Sequence, residues 1–353
     1  MQPNRPEDLT DRLHRTTQYI ATTQNSDGSI PWFENSIVDP WDHVEAAMGL
    51  AIGGETDRAA DAYRWLAKVQ REDGSWLAAY RNGVPFDATR AETNFVAYIA
   101  TGVWHQYLIT RDHDFVAQLW PTIEAALAFV LDLQTEHGEI YWAVDTIKGV
   151  DRDALITGCS SIYRSLAAAA DLATLLGHDA ARYTSARARL GQAIRTKPER
   201  FDRTWASKAR YSMDWFYPVL TGVFVGTAAT DRLNSRWSEF IEPGVGCRCV
   251  MDEPWITIAE TCELCMALCA AGDKNRAHSL FTDLARFQYQ DGSWWTGFVT
   301  RDQTLWPDER PTWTAAAVLL AADALYQLTP ANRLFADYPS VERNDRASEL
   351  TSS

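Results

Sequence analysis

A short pattern of a helix, a glutamine and a glycine-containing turn recurs along the chain and limits its fold more than any other feature. The glutamine ends an amphipathic segment and the glycine follows four residues later, as in Gln24 with Gly28, Gln70 with Gly74, Gln134 with Gly138 and a weaker copy, Gln288 with Gly292. A glycine just beyond a helix is typical of a helix end. The glutamines are 46, 64 and 154 residues apart, and the last gap leaves room for two degenerate units. The sequence therefore predicts about six repeated units.

Polar-faced and apolar helical segments alternate through these units. The polar-faced segments cover roughly residues 7–24, 58–70, 114–134, 179–194, 231–240 and 274–288. Each is followed by a segment rich in Ala, Leu, Val and Gly, at roughly residues 41–53, 91–109, 157–176, 212–229, 255–271 and 311–327. A helix with one polar face belongs outside, and a helix that is apolar nearly all round is buried. This alternation predicts an all-α (α/α)6 toroid with little strand, one catalytic domain over residues 1–329 and a flexible polar tail over residues 330–353.

The connections before the apolar helices carry a repeated combination of acid, proline and tryptophan. The first copy is Asp39-Pro40-Trp41-Asp42, and the others lie at residues 252–255 and 306–313. Proline is favoured in the first helical turn, so we expect Asp39 to be an N-cap and Asp42 to lie in the first turn. Because the inner helices of a toroid run in the same direction, their N-termini gather at one end. The sequence predicts one concave, acidic, aromatic-lined face there.

Acids and aromatics in one groove are typical of glycoside hydrolysis, which needs a protonated carboxyl and a carboxylate. We expect Asp42, in a first helical turn, to stay ionised and to act as the base. Glu260 lies among Ile258, Ala259 and Thr261, and burial there raises a carboxyl pKa, so Glu260 is the expected acid. The structural alternatives are a capping role for Asp42 and an ion pair with a residue such as Arg248 for Glu260.

Further residues of the same connections are expected to bind substrate, since aromatic faces stack on sugar rings and carboxylates accept hydrogen bonds from hydroxyls. They are Trp32, Asp39, Trp41, Trp76, Tyr80, Glu92, Trp142, Asp214, Trp215, Tyr217, Asp252, Trp255, Trp295, Trp306 and Trp313. Glu45 and Glu263 lie deeper in their helices, and we expect them to serve structure.

Charge and composition exclude several classes of partner. The formal net charge is −14 and no basic stripe is present, so nucleic acid is not an expected partner. The N-terminal residues lack a signal-peptide pattern, and no apolar run of about 18 residues suggests a membrane span. The expected location is therefore cytoplasmic. An acidic groove also suits the anionic substrate of a polysaccharide lyase poorly.

The six cysteines are expected to be small core residues. The alternative is a metal site built from Cys247, Cys249, Cys262 and Cys265, but their spacings match no familiar zinc module. We expect neither a metal ion nor a cofactor. The sequence makes no prediction of the oligomeric state.

The glutamine repeat resembles the QW motif of triterpene cyclases, whose toroids are built from helical hairpins. The copies that continue to Trp76 and Trp294 are the most similar. That resemblance implies the fold, but the chemistry of those families is missing. The chain has neither an Asp-x-Asp-Asp acid motif nor an Asp-Asp-x-x-Asp diphosphate–magnesium motif.

A closer resemblance is to the mycobacterial methylmannose polysaccharide hydrolases, the endomannanases of polymethylated-mannose biosynthesis. The segments that carry it are residues 39–45, 212–220, 248–255 with 259–261, and 311–317. The resemblance spans most of the chain and implies hydrolysis of internal α-1,4 bonds in cytoplasmic 3-O-methylmannose polysaccharide. The implied partner is thus a polysaccharide or oligosaccharide. The surplus of Trp and Tyr agrees with it, since O-methyl groups make a sugar chain more apolar.

Helical barrels that hydrolyse glycosides are mostly inverting, so we expect inversion. This requires the two carboxyl groups to be roughly 6.5–9.5 Å apart. Two other functions stay open from the sequence. One is a terpene cyclase or prenyltransferase that acts on a prenyl diphosphate, and the other is a toroid that binds glycans without cleaving them.

Overall fold

The predicted (α/α)6 toroid is present in a computed structural model that describes residues 8–336. The outer helices are α1 (Leu9–Thr23), α3 (Thr56–Val69), α5 (His113–Asp132), α7 (Ala181–Thr196), α9 (Gly226–Ser235) and α12 (Lys274–Asp283). The inner helices are α2 (Pro40–Ile52), α4 (Thr93–Thr110), α6 (Ile156–Leu175), α8 (Ser212–Leu220), α11 (Ile258–Ala270) and α13 (Thr312–Tyr326), and a short α10 (Trp237–Phe240) follows α9. The inner helices contact one another in the order α2, α4, α6, α8, α11, α13 and back to α2, so their ring is closed.

The glutamine repeat has a direct structural role in this ring. The Gln70 side-chain amide donates to the carbonyl of Gly74 across the turn and to the carbonyl of Thr122 in the next outer helix, both at 2.9 Å. Gln24 and Gln134 make the same pair of bonds to their own turn and to the following outer helix. Gln288 binds the carbonyl of Arg12 in α1 at 3.0 Å and so joins the last unit to the first.

The glycine of the repeat is required for the same close approach. Each of the four glycines has a positive φ, between 85° and 106°. A Cβ atom at any of them would collide with the backbone carbonyl of the neighbouring outer helix. A side chain here would therefore push adjacent units apart, which explains why helix, glutamine and glycine recur together.

Composition separates the inner from the outer helices as predicted. In α13, the run Ala315–Ala322 is buried on every side of the helix. In α3, by contrast, Ala59, Tyr63 and Leu66 are buried while the opposite face is polar and exposed. A helix buried all round must lie inside, so the apolar helices line the ring and the amphipathic ones cover it.

Short β-hairpins, which the sequence did not predict, are confined to the connections that lead into the inner helices. The strands are β1 (Ala79–Arg81), β2 (Val84–Asp87), β3 (Arg90–Glu92), β4 (Ala143–Asp145), β5 (Gly149–Asp151), β6 (Ile241–Glu242), β7 (Gly246–Cys247), β8 (Trp255–Thr257), β9 (Gly297–Val299) and β10 (Thr304–Leu305). They form four antiparallel sheets, β1–β2, β3–β4–β5, β6–β7 and β10–β9–β8. These sheets build a rim around one end of the toroid.

The predicted boundary between the fourth inner and the fifth outer helix is wrong. The fourth inner helix was expected over residues 212–229, but α8 ends at Leu220 and α9 begins at Gly226. Gly222 has a φ of 86°, and the amides of Val223 and Phe224 both bind the carbonyl of Pro218. The apolar sequence continues through this turn, so hydrophobicity alone does not show where the helix stops.

The first residues of the predicted flexible tail are packed against the toroid. Ala331, Leu334 and Phe335 are buried, against the C-terminal ends of α11 and α13. Residues 330–336 therefore belong to the toroid, because apolar side chains here cover the inner helices. The remainder of the predicted tail, residues 337–353, lies outside the described residues.

Among the described residues, α5 is long and apolar enough to cross a bilayer by length and composition alone. Here it packs as an outer helix against α3, α4 and α6. Buried helices of folded domains meet the same criterion.

Candidate active site

The N-termini of all six inner helices meet around one cavity of about 310 Å³. The second residue of each inner helix lines it: Trp41, Asn94, Thr157, Met213, Ala259 and Trp313. The remaining lining residues are Asp42, Glu45, Phe95, Glu260 and Glu263. The cavity is thus the concave acidic, aromatic face that the helix directions predict.

Asp42 is held beside the N-cap of α2. One Asp39 carboxylate oxygen accepts from the Asp42 amide at 2.9 Å, and the other accepts from the Trp32 indole N–H at 2.6 Å. The predicted capping role of Asp39 is therefore confirmed. The carboxyl groups of Asp39 and Asp42 are also hydrogen-bonded to each other.

The helix N-terminus was expected to keep Asp42 ionised, but the pKa of Asp42 is shifted in the opposite direction. Burial raises the Asp42 pKa well above its usual range, and the negative charge of Asp39 raises it further. Desolvation of two adjacent carboxyl groups outweighs the favourable helix dipole, which contributes only up to about 2 kcal/mol. Burial also raises the pKa of Asp39, while the hydrogen bonds from Asp42 and Trp32 lower it, so the larger upward shift falls on Asp42.

Glu260 occupies the same position in α11 that Asp42 occupies in α2, since each is the third residue of its helix. Its neighbours differ, because the N-cap here is Thr257, which makes no side-chain capping bond. The Cys249 thiol is hydrogen-bonded to Glu260, while one Glu260 carboxylate oxygen is buried without a hydrogen-bond partner. The alternative of an ion pair with Arg248 is not realised, because that guanidinium binds Glu242 at 2.6 Å.

Two carboxyl groups that sequence reasoning assigned to structure also line the cavity. Glu45 and Glu263 lie one helical turn below Asp42 and Glu260, in both cases three residues further along. Burial, followed by the charges of Asp39 and Glu260, raises the Glu45 pKa to about 8. Burial and the charges of Glu45 and Glu260 raise the Glu263 pKa well above its usual range. The cavity floor therefore carries two protonated carboxyls.

A signal for these two residues was present in the sequence. Residues three apart lie on the same face of a helix, and the same acid-x-x-acid spacing occurs at the start of α2 and of α11. The repetition of this spacing in two inner helices places four carboxyl groups on the face that lines the cavity.

Aromatic rings form the walls. Trp41 stacks on Tyr98 at 5.0 Å between ring centroids, and its indole N–H points to Glu45 at 3.3 Å. Trp313 packs edge-on against Trp32 at 6.4 Å, and its own indole N–H is buried without a hydrogen-bond partner. Of the three predicted tryptophans, Trp41 and Trp313 line the cavity, whereas Trp32 does not line it and packs against Trp313.

Five predicted binding residues lie in the rim connections without lining the cavity: Glu92, Trp142, Trp255, Trp295 and Trp306. Glu92 is paired with Arg90 at 2.7 Å, and the same guanidinium lies 5.5 Å from the Trp142 ring. The Trp255 and Trp306 rings pack edge-on at 5.1 Å. These residues can meet only a substrate that extends beyond the cavity.

Three predicted aromatic contacts are wrong, because their side chains lie in the hydrophobic core. Trp76 is buried and donates its indole N–H to the carbonyl of Leu66 at 2.9 Å. Trp215 donates to the carbonyl of Arg232 at 2.7 Å, on the side of α8 that faces α9. The Tyr80 hydroxyl accepts a backbone N–H three residues earlier and is also buried. These rings join inner to outer elements and do not reach the cavity.

Three more predictions are wrong for different reasons. Tyr217 lies beneath the cavity, with its ring 5.9 Å from that of Trp41. Asp214 lies outside the cavity, and burial raises its pKa to about 6. Asp252 is on the surface with its side chain 58% exposed, and it forms a bidentate ion pair with Arg210 at 2.9 Å.

Within residues 8–336, no group of three or more His, Cys, Asp or Glu side chains has an arrangement that could hold a metal ion. The six cysteines are free thiols. Cys262 and Cys265 are buried in α11, and the Cys265 thiol bonds a backbone carbonyl at 3.3 Å. They behave as small core residues, so the alternative of a cysteine-ligated metal finds no support among these residues.

Comparison with known proteins shows to which family the chain belongs. No protein-family profile matches it. An MMP endo-(1,4)-3-O-methyl-alpha-D-mannosidase of Mycolicibacterium hassiacum is 48% identical over 325 residues, which cover 92% of this chain and 89% of the relative. This chain belongs to the same family. It is therefore a glycoside hydrolase, as the arrangement of carboxyl and aromatic groups in the cavity indicates.

Solved structures confirm the toroid. A wild-type glycosidase aligns with a TM-score of 0.70 and 15% identity over 93% of this chain and all of that one. A bacterial glucoamylase complexed with acarbose aligns with a TM-score of 0.67 and 13% identity over 92% of this chain and 57% of that one. At such low identity these structures establish the shared fold of this glycoside hydrolase and nothing finer.

Proposed function

We propose that this glycoside hydrolase cleaves internal α-1,4-mannosidic bonds of 3-O-methylmannose polysaccharide in the cytoplasm. The observation that carries the proposal is the 48% identity to the methylmannosidase. The pairs of carboxyl groups that α2 and α11 present to the cavity support it. The rim connections extend the binding surface on several sides of the cavity. A polysaccharide that binds across this rim extends beyond the cavity, so the bond that is cut lies inside the polysaccharide. This arrangement supports endo action.

Asp42 acts as the general acid in the mechanism that we propose. Burial and the Asp39 charge raise its pKa well above the usual range, so we assign it as the carboxyl that brings a proton to the reaction. Asp42 gives this proton to the glycosidic oxygen as the bond between that oxygen and the anomeric carbon breaks. This assignment reverses the roles expected from the sequence, where Glu260 was the acid.

Glu260 acts as the general base in the same step. Its carboxylate lies in the first turn of α11, where the helix dipole favours a negative charge. Glu260 lines the cavity and is only half-buried, so its carboxyl can reach a water molecule held there. Glu260 takes a proton from this water as the water oxygen bonds to the anomeric carbon, and the product is released with inverted configuration.

Glu45 and Glu263 keep the cavity floor neutral. Both hold protons under the acid and the base, so they add no charge to those of Asp39 and Glu260. As protonated carboxyls they can donate hydrogen bonds to sugar hydroxyl and ether oxygens.

The test is incubation of the purified protein with α-1,4-linked 3-O-methylmannose oligosaccharides, with and without EDTA, followed by mass spectrometry. We expect shorter oligomers that have gained one water per cleavage, at the same rate in EDTA. Asp42→Ala and Glu260→Ala are expected to lose this activity.

Other outcomes separate the alternatives. Cleavage that survives in one variant would remove that residue from the mechanism while keeping the function. Saturable binding without cleavage over long incubation would favour a glycan-binding toroid. Turnover of a prenyl diphosphate with magnesium, and none of the oligosaccharide, would favour a cyclase or prenyltransferase.

A further inference from the structure

The large apolar side chains exposed among the described residues all lie in the connections around the cavity mouth. They are Val84, Phe86, Ile147, Val150, Tyr211, Met251, Tyr289, Leu305 and Trp306. Single exposed apolar residues are ordinary when they are scattered over a surface. Here they share one end of the toroid, and grouped exposed apolar surface marks a binding site.

The first group lies on two neighbouring hairpins, and we call it the hairpin ridge: Val84, Phe86, Ile147 and Val150. The β1–β2 hairpin carries the first two and the β4–β5 hairpin the last two. Thr146 joins the hairpins, since its amide donates to the carbonyl of Thr89 at 2.8 Å and its hydroxyl to that of Ala88 at 2.9 Å. The ridge is therefore built into the fold and held in place between two units.

The second group, which we call the tryptophan ridge, consists of Tyr289, Leu305 and Trp306 in the connection to α13. The Trp306 side chain is 56% exposed, and its carbonyl accepts the indole N–H of Trp255 at 2.9 Å. In the closed inner ring, α6 and α13 are three positions apart. The hairpin ridge on the connections to α4 and α6 thus lies across the cavity from the tryptophan ridge.

Both ridges lead directly into the cavity. β3 pairs with β4 of the hairpin ridge and runs into α4, whose Asn94 and Phe95 line the cavity. On the other side, β8 pairs with β9 and runs into α11, which carries Glu260. A chain that enters over one ridge and leaves over the other passes the cavity between them.

We propose that the two ridges bind O-methyl groups of the polysaccharide on both sides of the cleaved bond and so select methylated over unmethylated mannan. This inference rests on the proposed function. A methyl ether replaces a hydroxyl donor with apolar surface, and Val, Ile and Trp side chains gain from covering that surface. An unmethylated chain would instead bury hydroxyl groups that Val84, Ile147 and Val150 cannot satisfy.

The test is a triple variant, Val84→Thr with Ile147→Thr and Val150→Thr. Threonine keeps the β-branch and the strand preference of these side chains and replaces apolar surface with a hydroxyl group. The substrates are α-1,4-oligomannosides of equal length with and without 3-O-methyl groups. We expect kcat/KM on the methylated substrate to fall roughly five- to twentyfold, and kcat/KM on the unmethylated one to change by less than about twofold.

The matched control is Lys148→Ser, which changes an exposed polar residue in the same turn as Ile147. We expect it to leave both substrates unaffected. Equal losses on both substrates in the triple variant, or no loss on either, would overturn the inference.

Two further readouts separate this inference from the proposed function. Calorimetric titration of wild type with the methylated oligosaccharide, compared with the triple variant, measures binding without cleavage. If the triple variant binds more weakly and wild type cleaves nothing, the inference about the ridges stands and the hydrolase function is rejected. If wild type does not bind the oligosaccharide, both are rejected. A wild-type dimer that becomes monomeric in the triple variant by sedimentation equilibrium would show instead that the ridge is a subunit interface.

Discussion

Helices α2 and α11 present the same pattern of acids to the cavity in two different electrostatic settings. Each has a carboxyl residue at its third position and a second at its sixth, namely Asp42 with Glu45 and Glu260 with Glu263. The N-cap of α2 is a carboxylate, Asp39, whereas that of α11 is a threonine. Position in the helix thus determines where the carboxyl lies, while burial and, after it, the charged cap raise the pKa of Asp42.

The difference matters because the two reacting groups must have opposite protonation states. The Asp39 charge raises the pKa of Asp42, and no residue next to Glu260 in α11 repeats this arrangement, since Thr257 is neutral. Two carboxyls whose environments separate their pKa values are a common way to assign acid and base. The comparison therefore predicts that equivalent changes in the two helices remove different steps, the protonation of the leaving group in α2 and the activation of water in α11.

Asp42→Asn and Glu260→Gln test the two reacting positions and have the largest expected effect. We expect kcat to fall roughly 10²- to 10⁴-fold in either variant, because each loses a proton-transfer group and keeps its size. Circular dichroism and thermal unfolding check that both variants fold. Activity of one variant within about tenfold of wild type would show that the helices are not equivalent in importance.

The Glu45→Gln variant tests whether the carboxyl at the cavity floor is protonated, through the pH dependence of the free energy of unfolding. The raised pKa means that folded protein holds this proton up to about pH 8, whereas the unfolded chain releases it near pH 4 to 5. The free energy of unfolding of wild type should therefore fall as pH rises through this window. The variant should lack this fall and gain on the order of 2–4 kcal/mol relative to wild type between pH 5 and pH 8.5.

Urea unfolding at several pH values measures this, with Glu136→Gln at an exposed position as control. Glu263→Gln should behave in the same direction, since its pKa is raised as well. A parallel pH dependence in wild type and Glu45→Gln would mean that Glu45 is ionised in the folded protein.

Asp39→Asn removes the feature that distinguishes α2 from α11. Without the Asp39 charge, the Asp42 pKa should fall by about one unit. The general acid then loses its proton at lower pH, so the alkaline limb of the kcat/KM profile should move to lower pH. Asp73→Asn, at a turn remote from the cavity, is the control, and an unmoved alkaline limb in Asp39→Asn would reject the pairing.

Trp32→Phe has the smallest expected effect. Burial raises the Asp39 pKa, and the indole N–H of Trp32 opposes this rise by donating to the carboxylate. Loss of the indole should therefore leave less negative charge beside Asp42. The alkaline limb should move in the same direction as in Asp39→Asn and by a smaller amount. A shift of the alkaline limb to higher pH would contradict the proposal that the Asp39 charge raises the Asp42 pKa.

The fold could be predicted because its repeat has a local cause. Gln70 and Gly74 join neighbouring units through one side-chain amide and one close backbone contact, and such a requirement appears at fixed spacing in the sequence. The start of α2 was also predictable, from Asp39 and Pro40. The end of α8 was not, because the apolar composition continues through Gly222.

The site could be predicted only in part. Asp39, Trp41 and Asp42 follow from the helix start, but spacing does not tell which way a tryptophan in a connection points. Trp76, in the connection after α3, lies in the core, whereas Trp313, the second residue of α13, lines the cavity. The protonation state of Asp42 depends on burial and on the Asp39 carboxylate beside it, and neither can be read from residue types alone.

The most direct test of the central claim compares Asp42→Asn and Glu260→Gln on two substrates, the methylated oligosaccharide and its nitrophenyl glycoside. A nitrophenolate leaves without protonation, so a variant that lacks the acid should regain much of its rate on the nitrophenyl substrate. A variant that lacks the base should stay inactive on both. We predict recovery in Asp42→Asn alone, and recovery in Glu260→Gln alone would show that the two helices have the opposite roles.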